Sequence, residues 1–473
     1  MRWKVSRYTH LIPLRDEQGL LYNGASGAIA ELSPDGVRAV RRLFDRVAIG
    51  ESPSRRNHLF DNLVTGTFVV RHDYDELAAL QSRYHEERQK SQFLFTILPT
   101  FACNLGCGYC FVGKKSGNMS RAVQDGIIDF ARQRMARHQA DMHVDWFGGE
   151  PLLGLDAIEY LSSGFIELCR EHGVRYRAQV ISNGTVVTDR TVRVLEAAAV
   201  DRIQISIDGP ETIHDERRPY KKSGQSSFAA IMSNLERLVG SFMIRLRINV
   251  DARNLPHVWS LLDEFERRDW IGPDKEFYPY LARVSAFTDA CATVAPLMCG
   301  MDEFYRTQFA WMERLERSGV MVSQHGLYEL PEPKLYNCGA VGANGFVFTP
   351  SGEIHKCGLE VDTSSRAIGK IGEALDASNA NAMRFSSYSP FEREMCRGCE
   401  FLPSCLGGCP RNHMEGHEQE IKDNCTYHKR FENQLLAFHL GHRDGIEKWS
   451  EDSTPAAAPV RQPRVIPLVP LLS

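Results

Sequence analysis

The clustering of cysteine most constrains what this chain of 473 residues can form, because 13 of its residues are cysteine. Three of them make the tight group Cys103-x3-Cys107-x2-Cys110. Seven more form a second group towards the C-terminus, namely Cys338, Cys357, Cys396, Cys399, Cys405, Cys409 and Cys425. In a reducing compartment, cysteines grouped in this way indicate metal or iron–sulfur ligation rather than disulfide bonds. A long stretch almost free of cysteine separates the two groups, which predicts that they belong to different domains.

The composition of the chain excludes several classes of protein. The chain is 43% hydrophobic and 25% charged, which supports large cores and excludes a mostly disordered or fibrous protein. Its net charge of −4 provides no basic field to attract nucleic acid or anionic lipid. No apolar run approaches the ~20 residues that span a bilayer, and residues 1–10 lack the apolar centre of a signal peptide. The sequence therefore predicts a cytoplasmic protein with neither a nucleic-acid nor a membrane partner.

From about residue 93 onward, short apolar runs typical of strands alternate with helical patterns. The strand patterns lie at residues 93–98, 144–147, 179–181, 203–207, 244–250 and 277–284. Strands that alternate with helices indicate a parallel sheet. We therefore expect an α/β fold with a partial (β/α)6 TIM-like barrel, whose active site lies at the C-terminal ends of the strands.

The patterns outside the barrel divide the chain into further segments. A strand at 20–22, a turn at Asn23-Gly24 and a helix start at Ser33-Pro34 indicate a small winged-helix-like domain. The cysteine-rich segment has few long periodic runs, so we expect it to need metal in order to fold. Repeated prolines after Glu451 indicate a disordered tail. The predicted segments are 1–92, winged-helix-like; 93–285, barrel core; 286–330, bridge; 331–448, cysteine-rich domain; and 449–473, disordered tail.

The first cysteine group lies directly after the first strand of the predicted barrel. Its three thiolates can hold three irons of a four-iron cluster and leave the fourth iron open for a substrate or cofactor. The alternative is a zinc site. A closed structural zinc site takes a fourth protein ligand, and no fourth cysteine is nearby in the sequence.

Four predicted strand ends carry short motifs that together resemble the signature of the radical S-adenosylmethionine (SAM) superfamily. The motifs are Cys103-x3-Cys107-x2-Cys110 with Tyr109, Gly148-Gly149-Glu150-Pro151, Ser182-Asn183-Gly184-Thr185, and Ser206-x-Asp208-Gly209-Pro210 followed by Arg218. They occur in the family's order, and the resemblance covers residues 95–285.

The resemblance implies a four-iron cluster on the first cysteine group and SAM bound at the strand ends. The implied SAM-binding residues are Tyr109, Gly148, Gly149, Glu150, Ser182, Asn183, Ser206, Asp208 and Arg218. Adjacent glycines let backbone approach a ligand, and the Glu150 carboxylate suits an ammonium group. Arg218 suits a carboxylate, the alternative being a solvated surface arginine. The implied chemistry is reductive cleavage of SAM to a deoxyadenosyl radical that abstracts hydrogen, with a donor such as flavodoxin or ferredoxin. No catalytic residue is assigned.

The second cysteine group resembles the SPASM domain, a C-terminal extension of radical enzymes that holds auxiliary four-iron clusters. The resemblance assigns one auxiliary cluster to Cys396, Cys399, Cys405 and Cys425. It assigns the other to Cys338, Cys357 and Cys409, which leaves that cluster one ligand short. Either Cys291 or Cys299 completes it, or the fourth iron is open and binds substrate. A zinc ribbon is the alternative for the Cys-x2-Cys pair.

Enzymes with a SPASM domain mostly modify peptides or proteins. In the branch that matures sulfatases, an aspartate base follows the cysteine that corresponds to Cys357, and here that residue is Gly358. Another branch modifies precursor peptides, and many of its members bind the leader peptide on a winged-helix element by strand addition. We therefore predict a peptide maturase that forms a thioether or carbon–carbon crosslink. The alternatives are maturation of an enzyme subunit, an oxidation like that of sulfatase maturation, and a zinc-binding adaptor without enzymatic activity.

Overall fold

The computed structural model describes residues 2–51, 57–112, 115–286, 288–320 and 331–440. The predicted disordered tail, 449–473, lies outside the described residues. The chain divides into two compact units. The first takes its described residues from the segments 1–88, 321–338 and 388–473, and the second takes its described residues from the segments 89–320 and 339–387.

The N-terminal part of the first unit contains two small antiparallel sheets and three helices. Its elements are β1 (Trp3–Val5), β2 (Thr9–Pro13), β3 (Gly19–Asn23), β4 (Ala28–Leu32), α1 (Pro34–Ala48), α2 (His58–Thr65), β5 (Val69–Arg71) and α3 (Glu76–Gln89). One sheet has the order β2-β3-β4, and the other pairs β1 with β5. The predicted start of α1 is confirmed, because the Ser33 side chain accepts a hydrogen bond from the Gly36 amide and Pro34 occupies the first turn. The winged-helix assignment of this part remains a prediction.

The second unit is built on six parallel strands that follow one another in chain order across the sheet. They are β6 (Phe93–Ile97), β7 (Met142–Trp146), β8 (Tyr176–Ser182), β9 (Val200–Ile207), β10 (Met243–Val250) and β11 (Phe277–Arg283). The helices between and after them are α4 (Arg121–Met135), α5 (Leu155–His172), α6 (Asp189–Ala197), α7 (Glu211–Arg217), α8 (Ser227–Leu238), α9 (Trp259–Arg267) and α10 (Met301–Arg317). The predicted α/β fold is confirmed, and its parallel sheet is consistent with a partial barrel.

Three further strands extend this sheet beyond β6. They are β12 (Gly345–Phe348), β13 (Glu353–His355) and β14 (Gly369–Lys370), and α11 (Ala380–Ser386) follows them. Strand β12 is parallel to β6, whereas β13 and β14 are antiparallel additions. Residues 339–387 therefore belong to the same unit as the barrel strands, although the sequence groups them with the C-terminal segment.

The core of the second unit lies between the sheet and its helices. On β6 the side chains of Phe93, Phe95 and Ile97 are buried, and the residues between them are only half-buried. The Phe95 ring lies 5.1–6.3 Å, centroid to centroid, from five other rings, those of Phe93, Phe130, Phe165, Phe346 and Phe348. Because Phe130 and Phe165 lie on α4 and α5, the buried face of β6 is the face that meets the helices.

The C-terminal part of the first unit consists of short helices and one long helix. They are α12 (Glu394–Arg397), α13 (Leu402–Cys405), α14 (Pro410–Glu415) and α15 (Glu418–His439). One hydrophobic cluster joins this part to the N-terminal part, and its buried members are Tyr8, Leu80, Tyr84, Phe391, Cys396, Leu402 and Leu406. None of the helices within the described ranges is long and apolar enough to cross a membrane.

We expect the substitution Phe95→Ala to destabilise the second unit by about 3–5 kcal/mol, because it removes a buried ring from the centre of the aromatic cluster and leaves a cavity. The exposed Met383 provides the control, since Met383→Ala should change stability by less than about 0.5 kcal/mol. Urea unfolding followed by circular dichroism measures both changes. Equal midpoints for the two variants would contradict this account of the core.

Candidate active site

The loop that carries the first cysteine group leaves β6 and is held by backbone hydrogen bonds to two other segments. The Phe101 amide donates to the Gly117 carbonyl at 3.0 Å, and the Gly106 amide donates to the Pro219 carbonyl at 2.8 Å. The thiols of Cys103, Cys107 and Cys110 lie close enough to influence one another electrostatically. The sequence prediction that these three residues share one site is consistent with this placement.

The surroundings of Cys107 disfavour its deprotonated form, the form that binds a metal. Burial raises the pKa of Cys107 to about 11; Arg218 lowers it, while Asp208 and the two other thiols raise it. A thiol whose pKa is raised in this way binds a metal only after losing its proton, and a bound cation favours that loss. Within the described residues, no three His, Cys, Asp or Glu side chains converge on a point that would hold a single metal ion. A four-iron cluster offers each thiolate a different iron, so the donor set fits a cluster better than zinc.

The Gly-Gly-Glu-Pro turn after β7 packs against the cysteine loop. Gly148 has a φ of +131°, and a Cβ atom at Gly149 would lie within 3.0 Å of the carbonyl oxygens of Phe101 and Ala102. The Glu150 amide donates to the Ala102 carbonyl at 2.8 Å. Both glycines are therefore required for the turn to approach the loop this closely.

The side chain of Glu150 joins the ends of β7 and β8. It is fully buried and accepts hydrogen bonds from the Leu152 amide at 3.0 Å, the Ser182 hydroxyl at 2.9 Å and the Asn183 amide at 2.7 Å. Burial raises its pKa above the usual value, and these hydrogen bonds offset only part of that rise. Glu150 thus places a carboxylate beside the start of the cysteine loop.

Asn183 links the end of β8 to a predicted iron ligand. Its Nδ2 atom donates to the Cys103 sulfur at 3.7 Å and to the Asn104 side chain at 2.9 Å. Its Oδ1 atom accepts from the Thr185 amide at 2.9 Å. The third motif therefore contacts the first one through a side-chain amide.

Asp208, at the end of β9, lies at the centre of a buried hydrogen-bond network. It is fully buried and accepts from the Tyr109 hydroxyl, from Arg217 Nε at 3.0 Å and from Asn249 Nδ2 at 3.1 Å. Burial acts to raise its pKa, but the charges of Arg218 and Arg217 outweigh this and lower it. Asp208 therefore stays ionised and holds the tyrosine of the cysteine loop.

Arg218 belongs to the same network. It is only 8% exposed, and its Nη1 atom donates to the Tyr109 hydroxyl at 2.8 Å. The alternative of a solvated surface arginine is therefore wrong. Ser206, the remaining predicted residue of this motif, is half-buried on β9 and lies in register with Arg247 on β10.

Several residues of the network were not predicted from the sequence. Arg217 donates to both Asp208 and Asp251, and the Asn254 side chain bonds to the Asp251 amide at 2.7 Å and to the Asp208 carbonyl. Asn249 and Asp251 lie at the end of β10. The rule that barrel chemistry lies at strand ends would have found them, had it been extended to the fifth strand.

The half-buried face of the sheet, opposite the helices, is polar. Asp145 accepts from the Gln179 side chain at 2.6 Å and lies 3.0 Å from His143 Nε2. The Tyr280 hydroxyl donates to Gln204 at 2.8 Å. Such a surface suits a substrate that has hydrogen-bonding groups of its own, such as a peptide.

Comparison with known proteins assigns these motifs to a family. The family model described as the Radical SAM superfamily matches residues 97–248, which include the cysteine loop and the ends of β7, β8 and β9. The chain carries a radical SAM domain. It is therefore an enzyme, and the zinc-binding adaptor is excluded. The family implies a four-iron cluster and SAM, and the radical SAM motifs above are the residues that would hold them.

Similarity to individual proteins extends over most of the chain. It is 22% identical over 356 residues to the serine-type anaerobic sulfatase-maturating enzyme of Klebsiella aerogenes, covering 71% of this chain and 83% of that protein. It is 25% identical over 365 residues to the cysteine-type anaerobic sulfatase-maturating enzyme of Clostridium perfringens (strain 13 / Type A), and the match covers 70% of this chain and 92% of that protein. The solved structure of native anSMEcpe with bound AdoMet and Cp18Cys peptide superimposes on this protein with a TM-score of 0.54 at 17% identity. The match covers 76% of this chain and 99% of that chain. This likeness shows the shared fold.

Outside the radical SAM domain, four predicted ligands of an auxiliary cluster lie near one another in the first unit. The four are Cys396, Cys399, Cys405 and Cys425, whose thiols influence one another electrostatically. Burial raises the pKa of Cys396 to about 11. Burial also acts to raise the pKa of Cys405, but hydrogen bonds with His428 and Asn424 outweigh it and lower that pKa. Four thiols in one place provide the donor set of a closed four-iron cluster.

The remaining cysteines are distributed over both units. Cys338 and Cys409 belong to the first unit and Cys357 to the second, so their assignment to one cluster remains a prediction. Cys291 is buried in the second unit, and its sulfur donates to the Tyr109 carbonyl at 3.2 Å. Its contact is thus with the radical SAM loop. Cys299 is buried in the same unit.

We expect Gly149→Ala to abolish SAM cleavage and to lower the iron content, because the new Cβ atom displaces the backbone that carries Cys103. Gly224→Ala is the matched control, since nothing lies within 4 Å of a Cβ atom at that position. Iron per chain and production of 5′-deoxyadenosine under dithionite measure the effect. Unchanged iron and activity in Gly149→Ala would contradict the role given to this close contact.

Proposed function

We propose that this protein is a radical SAM maturase that oxidises a residue of a peptide or protein substrate. The observation that supports the proposal is the presence of two groups of neighbouring cysteines in one chain. The loop of Cys103, Cys107 and Cys110 suits SAM cleavage, and the four thiols of the first unit suit a second redox centre. The sulfatase-maturating relatives, which match over about 70% of the chain, act on protein substrates as their names state.

The cluster and SAM together, when bound, supply a deoxyadenosyl radical that removes a hydrogen atom from the substrate. The residues of the chain bind and orient the reactants. Glu150 provides negative charge for the ammonium group of SAM, and Arg218 provides positive charge for its carboxylate. Ser206 and Asp208 are proposed to face its hydroxyl groups. The polar face around Asp145 and Gln204 receives the substrate.

We propose that the product is a crosslink, either a thioether or a carbon–carbon bond. Gly358 supports this proposal, because the sulfatase-maturing branch that the sequence resembles has an aspartate base at this position. Gly358 starts a short 3-10 helix, and nothing lies within 4 Å of the place where its Cβ would be. Oxidation of a serine or cysteine to an aldehyde is the second candidate, and the named relatives favour it.

Mass spectrometry should distinguish these products. With SAM, dithionite and a cysteine-containing precursor peptide encoded beside the gene, we expect the peptide to lose two hydrogens. The product should resist thiol alkylation if it is a thioether, and it should not react with a hydrazide. Reaction with a hydrazide would instead identify an aldehyde and the second candidate.

The control is the triple variant with Cys103→Ala, Cys107→Ala and Cys110→Ala. It should produce neither 5′-deoxyadenosine nor modified peptide, yet retain the iron of the first unit. Production of 5′-deoxyadenosine by this variant would overturn the assignment of the loop.

The N-terminal part of the first unit is proposed to bind a leader peptide by strand addition. Deleting this part is an unsuitable test, because Tyr8, Leu80 and Tyr84 share a core with the C-terminal helices. The test therefore changes the peptide. Fluorescence polarisation with the full chain should show at least tenfold weaker binding after the leader is removed, and equal affinity would contradict leader recognition.

A further inference from the structure

We propose that Asn424 and His428 make the auxiliary cluster of the first unit a better electron acceptor, through hydrogen bonds to the sulfur of Cys405. This auxiliary cluster is the one proposed on Cys396, Cys399, Cys405 and Cys425. The inference rests on the proposed function, which requires an acceptor for one electron from the substrate. The inference adds which side chains of this protein set the reduction potential of that acceptor.

Asn424 donates directly to the predicted ligand. Its Nδ2 atom lies 3.3 Å from the Cys405 sulfur, which is hydrogen-bond distance for a sulfur acceptor. Gly408 makes the approach possible, because a Cβ atom there would lie within 3.0 Å of the Asn424 amide. The backbone after Cys405 turns through three successive residues with positive φ, of which Leu406 is the first, at +47°.

His428 lies near the same sulfur, one turn further along α15. It lowers the pKa of the Cys405 thiol, which places the two side chains close together, and its Nδ1 atom contacts Glu432 Oε2. Both His428 and Glu432 are buried. Asn424, His428 and Glu432 are spaced four residues apart, so they lie on one face of the helix.

The chemistry of the partners sets the direction of these bonds. A thiolate bound to iron has no proton to give, and a carboxylate only accepts. The ring of His428 therefore donates to Cys405 on one side, and Glu432 fixes its orientation on the other, as a carboxylate does for many ligand-contacting histidines. Cys405 would thus receive two donors, the amide of Asn424 and the imidazole of His428.

Donors to a cluster sulfur stabilise the reduced cluster, which has the more negative charge, and so raise the reduction potential. The proposed oxidation of the substrate needs a cluster that accepts an electron readily, which is a cluster of raised reduction potential. One hydrogen atom leaves the substrate to form 5′-deoxyadenosine. One further electron must leave for the acceptor, and one proton is released as the crosslink forms. A one-electron carrier of the flavodoxin or ferredoxin class then removes that electron from the enzyme.

The test compares midpoint potentials in the full-length chain, reconstituted anaerobically with iron and sulfide. The background is the Cys103→Ala, Cys107→Ala, Cys110→Ala variant, which removes the signal of the radical SAM cluster. We expect Asn424→Ala and His428→Gln each to shift one EPR-monitored midpoint to a more negative potential. Asn424→Asp should shift it further, because it replaces a donor by a negative charge of similar shape.

Thr426→Ala is the matched control, since Thr426 lies on the same helix and donates to the Lys422 carbonyl rather than to a sulfur. Its midpoint should equal that of the parent. If Asn424→Ala loses iron, Asn424→Ser, which keeps a donor, provides the comparison with Asn424→Asp. Midpoints that are unchanged in all Asn424 and His428 variants with full iron would overturn the proposal.

The two hypotheses fail in different ways. An enzyme that modifies its peptide, but whose midpoints do not shift, overturns the inference alone. Shifted midpoints with no peptide product overturn the proposed function alone.

Discussion

The buried carboxylate of Asp208 is the group on which the geometry of the radical SAM site depends. A charge that is fully removed from water is stable only if cations and hydrogen-bond donors surround it. Here Arg217, Asn249 and the Tyr109 hydroxyl supply them. Because Tyr109 lies between Cys107 and Cys110, satisfying this carboxylate also determines where two of the three thiols lie.

A second constraint acts on the other side of the cysteine loop. Gly149 brings the turn after β7 into contact with the backbone at Ala102, and Asn183 reaches the sulfur of Cys103. The loop is therefore held at its start by the ends of β7 and β8 and at its far end by the ends of β9 and β10. A flexible, glycine-containing loop obtains a defined shape in this way, which a cluster bound through three thiolates requires.

Local patterns predicted much of this arrangement, and long-range pairing accounts for what they missed. Alternating strand and helix signals were sufficient for the parallel sheet, and the resemblance of the strand-end motifs to the radical SAM signature pointed to Glu150, Asn183 and Asp208. Strand β12 could not be predicted, because its four residues pair with β6, about 250 positions earlier. The burial of Arg218 could not be predicted from local patterns either, because its hydrogen-bond partner Tyr109 is distant in sequence.

The first unit is made from both ends of the chain, so it can be completed only when translation is nearly finished. Tyr8 and Tyr84 emerge from the ribosome first, yet their core partners Phe391 and Leu402 emerge last. The N-terminal part has a core of its own, made of residues from Leu21 to Val69, but the apolar side chains that it shares with the C-terminal part stay uncovered while the whole barrel is translated. The shared cluster closes only when α12 and α13 have been made, and these helices carry Cys396 and Cys405. The proposed loading of iron onto the C-terminal cysteines and the closure of this shared cluster thus both wait for the last part of the chain to be made, so iron starvation is expected to leave the surface around Tyr8 and Tyr84 uncovered in newly made chains.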